Sequence, residues 1–310
     1  MQIIYPSEIK NLSPCVATVG FFDGLHAGHR FLIEELKAIA KIQHLKSIVV
    51  TFAIHPRRVL NPDFKPELLN TLSEKLNRLE STGIDGCVVL DFTLQMAGLS
   101  AYEFLDTILK KQINVQTLLV GHDHRFGHNR TDGFPEYKKY GEELGMSVIH
   151  CNRFNTDIDT HISSSEIRNA LKEGKIELAN RLLTYEYSIH GKVVEGFKIG
   201  NTIGFPTANI ELYDTEKIIP AIGVYAVRVR WNNQFFKGMM NIGRRPTLEN
   251  GENISIEVHI IDFNENIYNQ SLEIDFIRKI RDEQKFKDID ELKEQLKKDK
   301  LFVLGMSIDL

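Results

Sequence analysis

Cysteine is scarce in this chain: Cys15, Cys87 and Cys151 lie far apart, and no CxxC pair occurs. That excludes a disulfide scaffold and a cysteine-based zinc site, and it fits a reducing cytoplasm. No apolar run approaches the roughly 20 residues needed to cross a bilayer. The opening residues, MQIIYPSEIK, show no charged segment followed by an apolar stretch, so no signal peptide is expected. Neither sign of charge dominates. The 38 Lys and Arg face 42 Asp and Glu, a formal net charge of −4, so the basic footprint of a general nucleic-acid binder is missing. Internal repeats and low-complexity tracts are absent as well. With 42% hydrophobic and 26% charged residues, the composition is that of a globular protein and not of a disordered one. At about 100–200 residues per domain, 310 residues suggest two domains.

The two halves differ in period. In the first, short apolar runs at 16–19, 47–52, 87–90, 117–120 and 147–150 alternate with helical patterns such as Leu32, Leu36 and Ile39. Three Ser/Thr-x-x-Glu capping boxes mark helix starts: Thr71 with Glu74, Ser100 with Glu103 and Ser163 with Glu166. Strands rich in β-branched residues, each followed by a helix, predict a parallel sheet covered on both faces, a doubly wound α/β fold. After about residue 184 the alternation is by two, as in 224–231 and 254–261, where Ser255, Glu257 and His259 share one face. Asn232-Asn233 reads as a tight hairpin turn. Strands without intervening helices predict a small antiparallel barrel, with one closing helix at 288–298. The expected domains are 1–183 and 184–310.

Segment 16–29, VATVGFFDGLHAGH, begins as a strand and ends where a helix starts. Gly20, Gly24 and Gly28 permit a sharp turn and close approach of a ligand. The first amides of the helix form an anion site, beside which His26 and His29 supply imidazoles for phosphate oxygens. The plainer alternative is a glycine-rich loop with two surface histidines. Segment 120–130, VGHDHRFGHNR, follows a predicted strand and so lies at the ligand-binding edge of an open α/β sheet. Segment 163–168, SSSEIR, offers hydroxyl and amide donors with Arg168 one turn in, although a capping box alone accounts for part of it. A zinc cluster of His26, His29, His55, His122, His124 and His128 is a rival, but a triphosphate accounts for the same donors.

In the second half, segment 198–209, KIGNTIGFPTAN, places Thr207 and Asn209 after a tight Gly200–Gly204–Pro206 path; their hard oxygens suit Mg²⁺. Glu257, on a predicted strand beside His259, is a carboxylate on rigid backbone able to accept a proton from a hydroxyl. Taken singly, each is equally a loop or a solvated strand face. Arg278 and Arg281 in 277–286 add cationic candidates.

Together these segments resemble the bacterial bifunctional riboflavin kinase / FMN adenylyltransferase family, also called FAD synthetase. HAGH, VGHDHRFG, SSSEIR and the 51–60 string TFAIHPRRVL resemble its adenylyltransferase half. GFPTAN, NIGRRPT, EVHIIDF and IRDEQKF resemble its riboflavin kinase half. Ile54 replaces the usual proline and His124 the usual Phe, while Asn201 stands where a basic residue is common. The resemblance implies a nucleotidyltransferase domain followed by a six-stranded Greek-key barrel, with ATP as co-substrate and Mg²⁺ as cofactor. It implies that His26, His29, Ser164 and Arg168 cradle phosphates, with Gly20, Phe21, Asp23, Gly28, Asn129 and Ser163 near the same nucleotide. It implies Glu257 as the base on the ribityl hydroxyl. Thr207 and Asn209 would hold the metal and phosphates, and Gly204, Pro206, Arg278 and Arg281 would lie at the kinase substrates. The expected partners are riboflavin, FMN and ATP, with no nucleic acid and no membrane; self-association stays open. Two other arrangements remain: a kinase whose N-terminal half is inactive or altered in substrate, and a flavin-binding regulator.

Overall fold

The computed structural model describes residues 1–9, 12–122, 124–128, 131–152, 154, 162–196, 200, 203–245 and 253–308. It divides into two compact units, Met1–Ser163 and Ser164–Leu310.

The first unit is built on six parallel strands: β1 Gln2–Ile4, β2 Cys15–Val19, β3 Lys46–Phe52, β4 Gly86–Leu90, β5 Val115–Val120 and β6 Ser147–His150. Their order across the sheet is β1-β4-β3-β2-β5-β6. Because side chains alternate along a strand, β2 sends Cys15, Ala17 and Val19 into one apolar layer and Val16 into the other. β4 does the same with Val88 and Leu90 against Cys87 and Val89. Helix α1 (Ala27–Gln43) buries Leu32, Ile33, Leu36 and Ala40 on the second layer. Leu32, Ile33 and Leu36 each contribute about 1.5–3 kcal/mol when fully buried. The five predicted strands are all present; β1, three residues long, was not predicted.

Further helices of this unit are α2 (Pro56–Leu60), α3 (Leu72–Glu80), α4 (Leu94–Ala97), α5 (Ala101–Glu103, continued by a wider π-helical stretch Phe104–Gln112) and α6 (Phe134–Leu144). The capping boxes at Thr71 with Glu74 and at Ser100 with Glu103 form as the spacing predicts. Strand order reverses beside β2: the chain goes from β2 to β3 on one side and has β5 on the other. A crevice outside the carboxyl ends of β2 and β5 is where an open α/β sheet takes its ligand.

The second unit starts with α7 (Ser164–Lys172) and α8 (Ile176–Leu183), followed by β7 (Ser188–Val194), β8 (Ala208–Leu212), β9 (Gly223–Trp231), β10 (Gln234–Arg245), β11 (Asn253–Ile260) and β12 (Ser271–Arg281). The strands close a barrel in the order β10-β11-β8-β7-β12-β9, with antiparallel pairing throughout. Asn232 and Asn233 both take positive φ, 49° and 60°, which is the backbone a two-residue hairpin turn between β9 and β10 requires. The closing helix, α9, spans Ile289–Leu304, six residues longer at its end than the charge pattern predicts. α7 and α8 pack with the barrel: Asn180 donates to the Phe276 carbonyl at 2.8 Å, and the Ala221 amide donates to the Leu171 carbonyl at 3.0 Å.

Candidate active sites

In the first unit the turn from β2 to α1 is forced into shape by packing. Phe22 and Leu25 take left-handed φ of 55° and 36°, and Gly24 takes 79°. For non-glycine residues such backbone is costly and persists only where surrounding structure over-determines it. Here Phe22 and Leu25 are buried in the α1 layer, and the Gly20 amide donates to the Val50 carbonyl at 3.0 Å. Gly28 leaves room for the His26 ring, which a Cβ would approach to 3.3 Å.

His26 caps α1, its Nδ1 accepting the His29 amide at 3.4 Å. The two rings stack with centroids 3.7 Å apart, and Phe22 meets His29 edge-on at 5.1 Å. Burial holds the His29 imidazole well below its usual range, and His26, His124 and Lys75 push the same way. His29 therefore stands as a neutral imidazole with one N–H to offer, and its buried Nδ1 has no hydrogen-bond partner. The end of β5 adjoins the helix that this turn begins: a Cβ at Gly121 would lie 3.7 Å from Leu32 of α1 and 3.6 Å from the Cβ of His124. The β5 loop is anchored in turn. Phe126 stacks on Tyr137 of α6 at 4.1 Å, and its amide donates to the Tyr137 hydroxyl at 2.9 Å. Gly127, at φ 89°, lies so close to α5 that a Cβ would sit 2.6 Å from the Ala101 nitrogen.

Asp23 is buried and turned inward. Its carboxylate accepts the Leu69 amide at 3.0 and 3.1 Å and the Asn70 amide at 3.0 Å, so it fastens the turn to the segment leading into α3. Phe21 lies at the end of that turn, with His55 edge-on at 4.7 Å and the Lys75 ammonium 4.1 Å from its ring centre. Lys75 is absent from the sequence-level candidates. The one signal was its place on the apolar stripe of Leu72, Leu76 and Leu79. Asn129 and Asn201 lie outside the described residues. Ser163 ends the first unit; Ser164 and Arg168 lie in the first turns of α7, in the second. Among the described residues no three His, Cys, Asp or Glu side chains converge as a metal-ligand set.

In the second unit β11 lies between β10 and β8, so Glu257 pairs with Asn241 on one side and with Asn209 on the other. Thr207, just before β8, donates its hydroxyl to Glu257 Oε2 at 3.3 Å. The path leading there is tight: a Cβ on Gly200 would meet the Phe205 carbonyl at 2.2 Å, and Gly204 has φ 81°. Phe205 packs with Ile203, Met239 and Val303 of α9. Most of the polar face of β11 is covered: Ser255 and His259 are buried and Glu257 is half-buried. His259 is buried, meets Phe205 edge-on at 5.3 Å, and its Nδ1 lies 2.8 Å from the Pro206 carbonyl. Since that carbonyl can only accept, Nδ1 carries the proton. Burial keeps His259 below the usual imidazole range against the opposing pull of that carbonyl. A cavity of about 330 Å³ opens beside Pro206 and Thr207, lined also by Val193, Val258, Phe263 and Tyr268. The 263–268 lining is a second feature that the sequence patterns do not reveal.

The two candidate arginines are held within the unit. Arg281 pairs with the buried Asp299 of α9, Nη2 to Oδ2 2.9 Å, and Arg278 pairs with Glu177 of α8.

A family model described as FAD synthetase matches residues 8–166, and one described as riboflavin kinase matches 183–304. Two relatives named bifunctional riboflavin kinase/FMN adenylyltransferase align almost end to end. That of Bacillus subtilis (strain 168) is 40% identical, covering 97% of this chain and 95% of its own. That of Escherichia coli (strain K12) is 37% identical, covering 94% of both. A crystal structure described as a macrolide-efflux protein from Streptococcus pneumoniae superposes with a TM-score of 0.90 at 32% identity, over 99% of this chain and 100% of that one. That description names a different role. Among the described residues here, no helix is long and apolar enough to cross a membrane. Both family models and the named relatives agree, domain by domain and in the same order: the chain belongs to the bifunctional riboflavin kinase/FMN adenylyltransferase family.

Proposed function

We propose that each of the family's two reactions has its own site in this bifunctional enzyme. Riboflavin is phosphorylated by ATP at Thr207, Asn209 and Glu257. The resulting FMN is adenylylated by a second ATP at the β2–α1 turn, giving FAD and pyrophosphate. The observation that carries the kinase assignment is the Thr207–Glu257 contact at 3.3 Å, with Asn209 as the register partner of Glu257. A carboxylate on a barrel strand, with a hydroxyl and an amide beside it and a cavity at its edge, suits proton removal next to a phosphate. The riboflavin 5′-hydroxyl attacks the γ-phosphorus, its proton passes to Glu257, and ADP leaves.

The donor set fits Mg²⁺: one hydroxyl and one amide oxygen, both hard ligands, beside a single carboxylate. A cation that keeps several waters and takes phosphate ligands needs little more from protein. Thr207 and Asn209 would hold it, and when bound it neutralises phosphate charge.

In the first unit the FMN phosphate oxygen attacks the α-phosphorus as the bond to pyrophosphate breaks. No protein nucleophile takes part, so catalysis is positioning plus charge stabilisation. His26, Gly28 and His29 would receive the ATP phosphates, with His29 supplying its single N–H; Ser163 and Asn129 are assigned to the same nucleotide from the sequence pattern. Asp23, whose carboxylate holds three amide contacts, is assigned to support of the turn. Arg278 and Arg281 are assigned to holding α8 and α9. The adenylyltransferase part is placed at 1–183 and the kinase part at 184–310; the FAD synthetase match ends at 166 and the riboflavin kinase match begins at 183, while α7 and α8 between them pack on the barrel. Three free, buried cysteines support a cytoplasmic location.

Incubation with riboflavin, ATP and Mg²⁺, followed by chromatography of the flavins, tests the whole scheme. FMN and FAD are expected. FMN alone would mean an inactive or altered first unit, and neither product would leave a flavin-binding regulator.

A further inference from the structure

Lys75 is 3% exposed, yet it carries an ammonium into the layer beneath the β2–α1 turn. The group has three donors, and three acceptors meet it: the Phe52 carbonyl at 3.0 Å, the Phe21 carbonyl at 3.1 Å and Thr51 Oγ1 at 3.2 Å. The Thr51 hydroxyl in turn donates to the Phe21 carbonyl at 3.1 Å, so its own proton is used and its lone pair is free for Lys75. The ring of Phe21 lies over the same ammonium. Four residues before Lys75, the capped start of α3 is held to the turn again through Asp23, Leu69 and Asn70.

We propose that Lys75 is a positioning residue for adenylyl transfer, and that it acts only as the ammonium, because all three donors are needed to hold the end of β3 against the turn carrying His26 and His29. This rests on the assignment of adenylyl transfer to that turn. The neutral amine has two hydrogens, so losing the proton leaves one of the three acceptors without its donor. Burial pulls Lys75 down to about 8, against the Asp23 carboxylate, which favours its charged form. The titratable groups facing it are Asp23 on the turn, Cys87 on β4 and His29 on α1. Burial pushes the Cys87 thiol up to about 12, and it holds His29 neutral. Between pH 7 and 9.5 the charge of Lys75 therefore changes while the Cys87 thiol and the His29 imidazole stay neutral.

The test measures FAD formation from supplied FMN and ATP on the full chain between pH 6.5 and 9.5. Riboflavin phosphorylation on the same preparation is the internal control. Wild type should lose adenylyl transfer above about pH 8, approaching tenfold per pH unit, with no matching limb in the kinase reaction. Lys75→Met keeps the stem but no donors. It should form FAD roughly 10²-fold more slowly through kcat, since a small misplacement of reacting groups costs that much, and its residual rate should be flat above pH 8. A Lys75→Met enzyme that keeps the wild-type rate, or keeps the alkaline limb, overturns the proposal. Should that variant fail to fold, Thr51→Val decides. With one acceptor gone the neutral amine can serve both carbonyls, so the limb should shrink; an unchanged limb overturns the proposal. His29→Ala in parallel separates the two assignments: if it leaves FAD formation intact, the site has been misplaced, whatever Lys75 does.

Discussion

Gly196 lies against the side chain of Asn209 so closely that a Cβ at position 196 would come within 2.0 Å of Asn209 Nδ2 and 2.8 Å of its Oδ1. The end of β7 and the start of β8 thus meet at the amide assigned to Mg²⁺ and phosphate, and only a residue without a side chain permits it.

Gly196→Ala should therefore displace Asn209 without emptying any core position. Riboflavin phosphorylation should fall by roughly 10–10²-fold with a raised Mg²⁺ requirement. FAD formation from supplied FMN should stay near wild type. A Mg²⁺ titration of both half-reactions checks this, and an unchanged kinase rate would remove Asn209 from the site.

Glu257→Gln keeps the size and one acceptor oxygen but no basicity. An alcohol is a poor nucleophile at neutral pH, so FMN production should drop by about 10²–10⁴-fold with riboflavin affinity little changed. Adenylyl transfer needs no hydroxyl deprotonated and should continue. Full kinase activity in the variant would reduce Glu257 to a polar strand residue.

His29→Ala should lower FAD formation by roughly 10²–10³-fold, the usual cost of one preorganised donor. FMN formation should stay near normal, because Thr207, Asn209 and Glu257 belong to the other unit. Parallel loss of both activities in a folded protein would contradict two separate sites.

Lys75 also gives a stability signature. Its folded value of about 8 lies below the ordinary 10.5, so between them the unfolded chain binds more protons and stability rises with pH. Relative to Lys75→Met, wild type should gain about 2 kcal/mol between pH 7 and 9.5. Urea unfolding of both proteins at the two pH values measures it. A constant difference would mean that Lys75 titrates as an ordinary surface lysine. The gain has the opposite sign to the expected loss of adenylyl transfer, so unfolding cannot be mistaken for that loss.

Much of the architecture is written in local sequence. Runs such as SIVVTF at 47–52 can only bury both faces in a sheet, and Asn232-Asn233 suits the left-handed backbone of a two-residue hairpin. The glycines and histidines of 20–29 and the GFPTAN and EVH segments point to the two candidate sites because turn chemistry and ligand chemistry act within a few residues. Tertiary structure alone decided what depends on distant partners. Asp23 faces amides 46 and 47 residues away and so supports the turn. Arg278 meets Glu177 across 101 residues, and Arg281 meets a buried aspartate on α9. Lys75, a cation on an apolar stripe, makes sense only once the ends of β2 and β3 bring three acceptors to it. α7 and α8 follow the first half in sequence yet pack on the barrel. Periodicity reports which face of an element is apolar, but the identity of the surface it meets is settled only when the chain has folded.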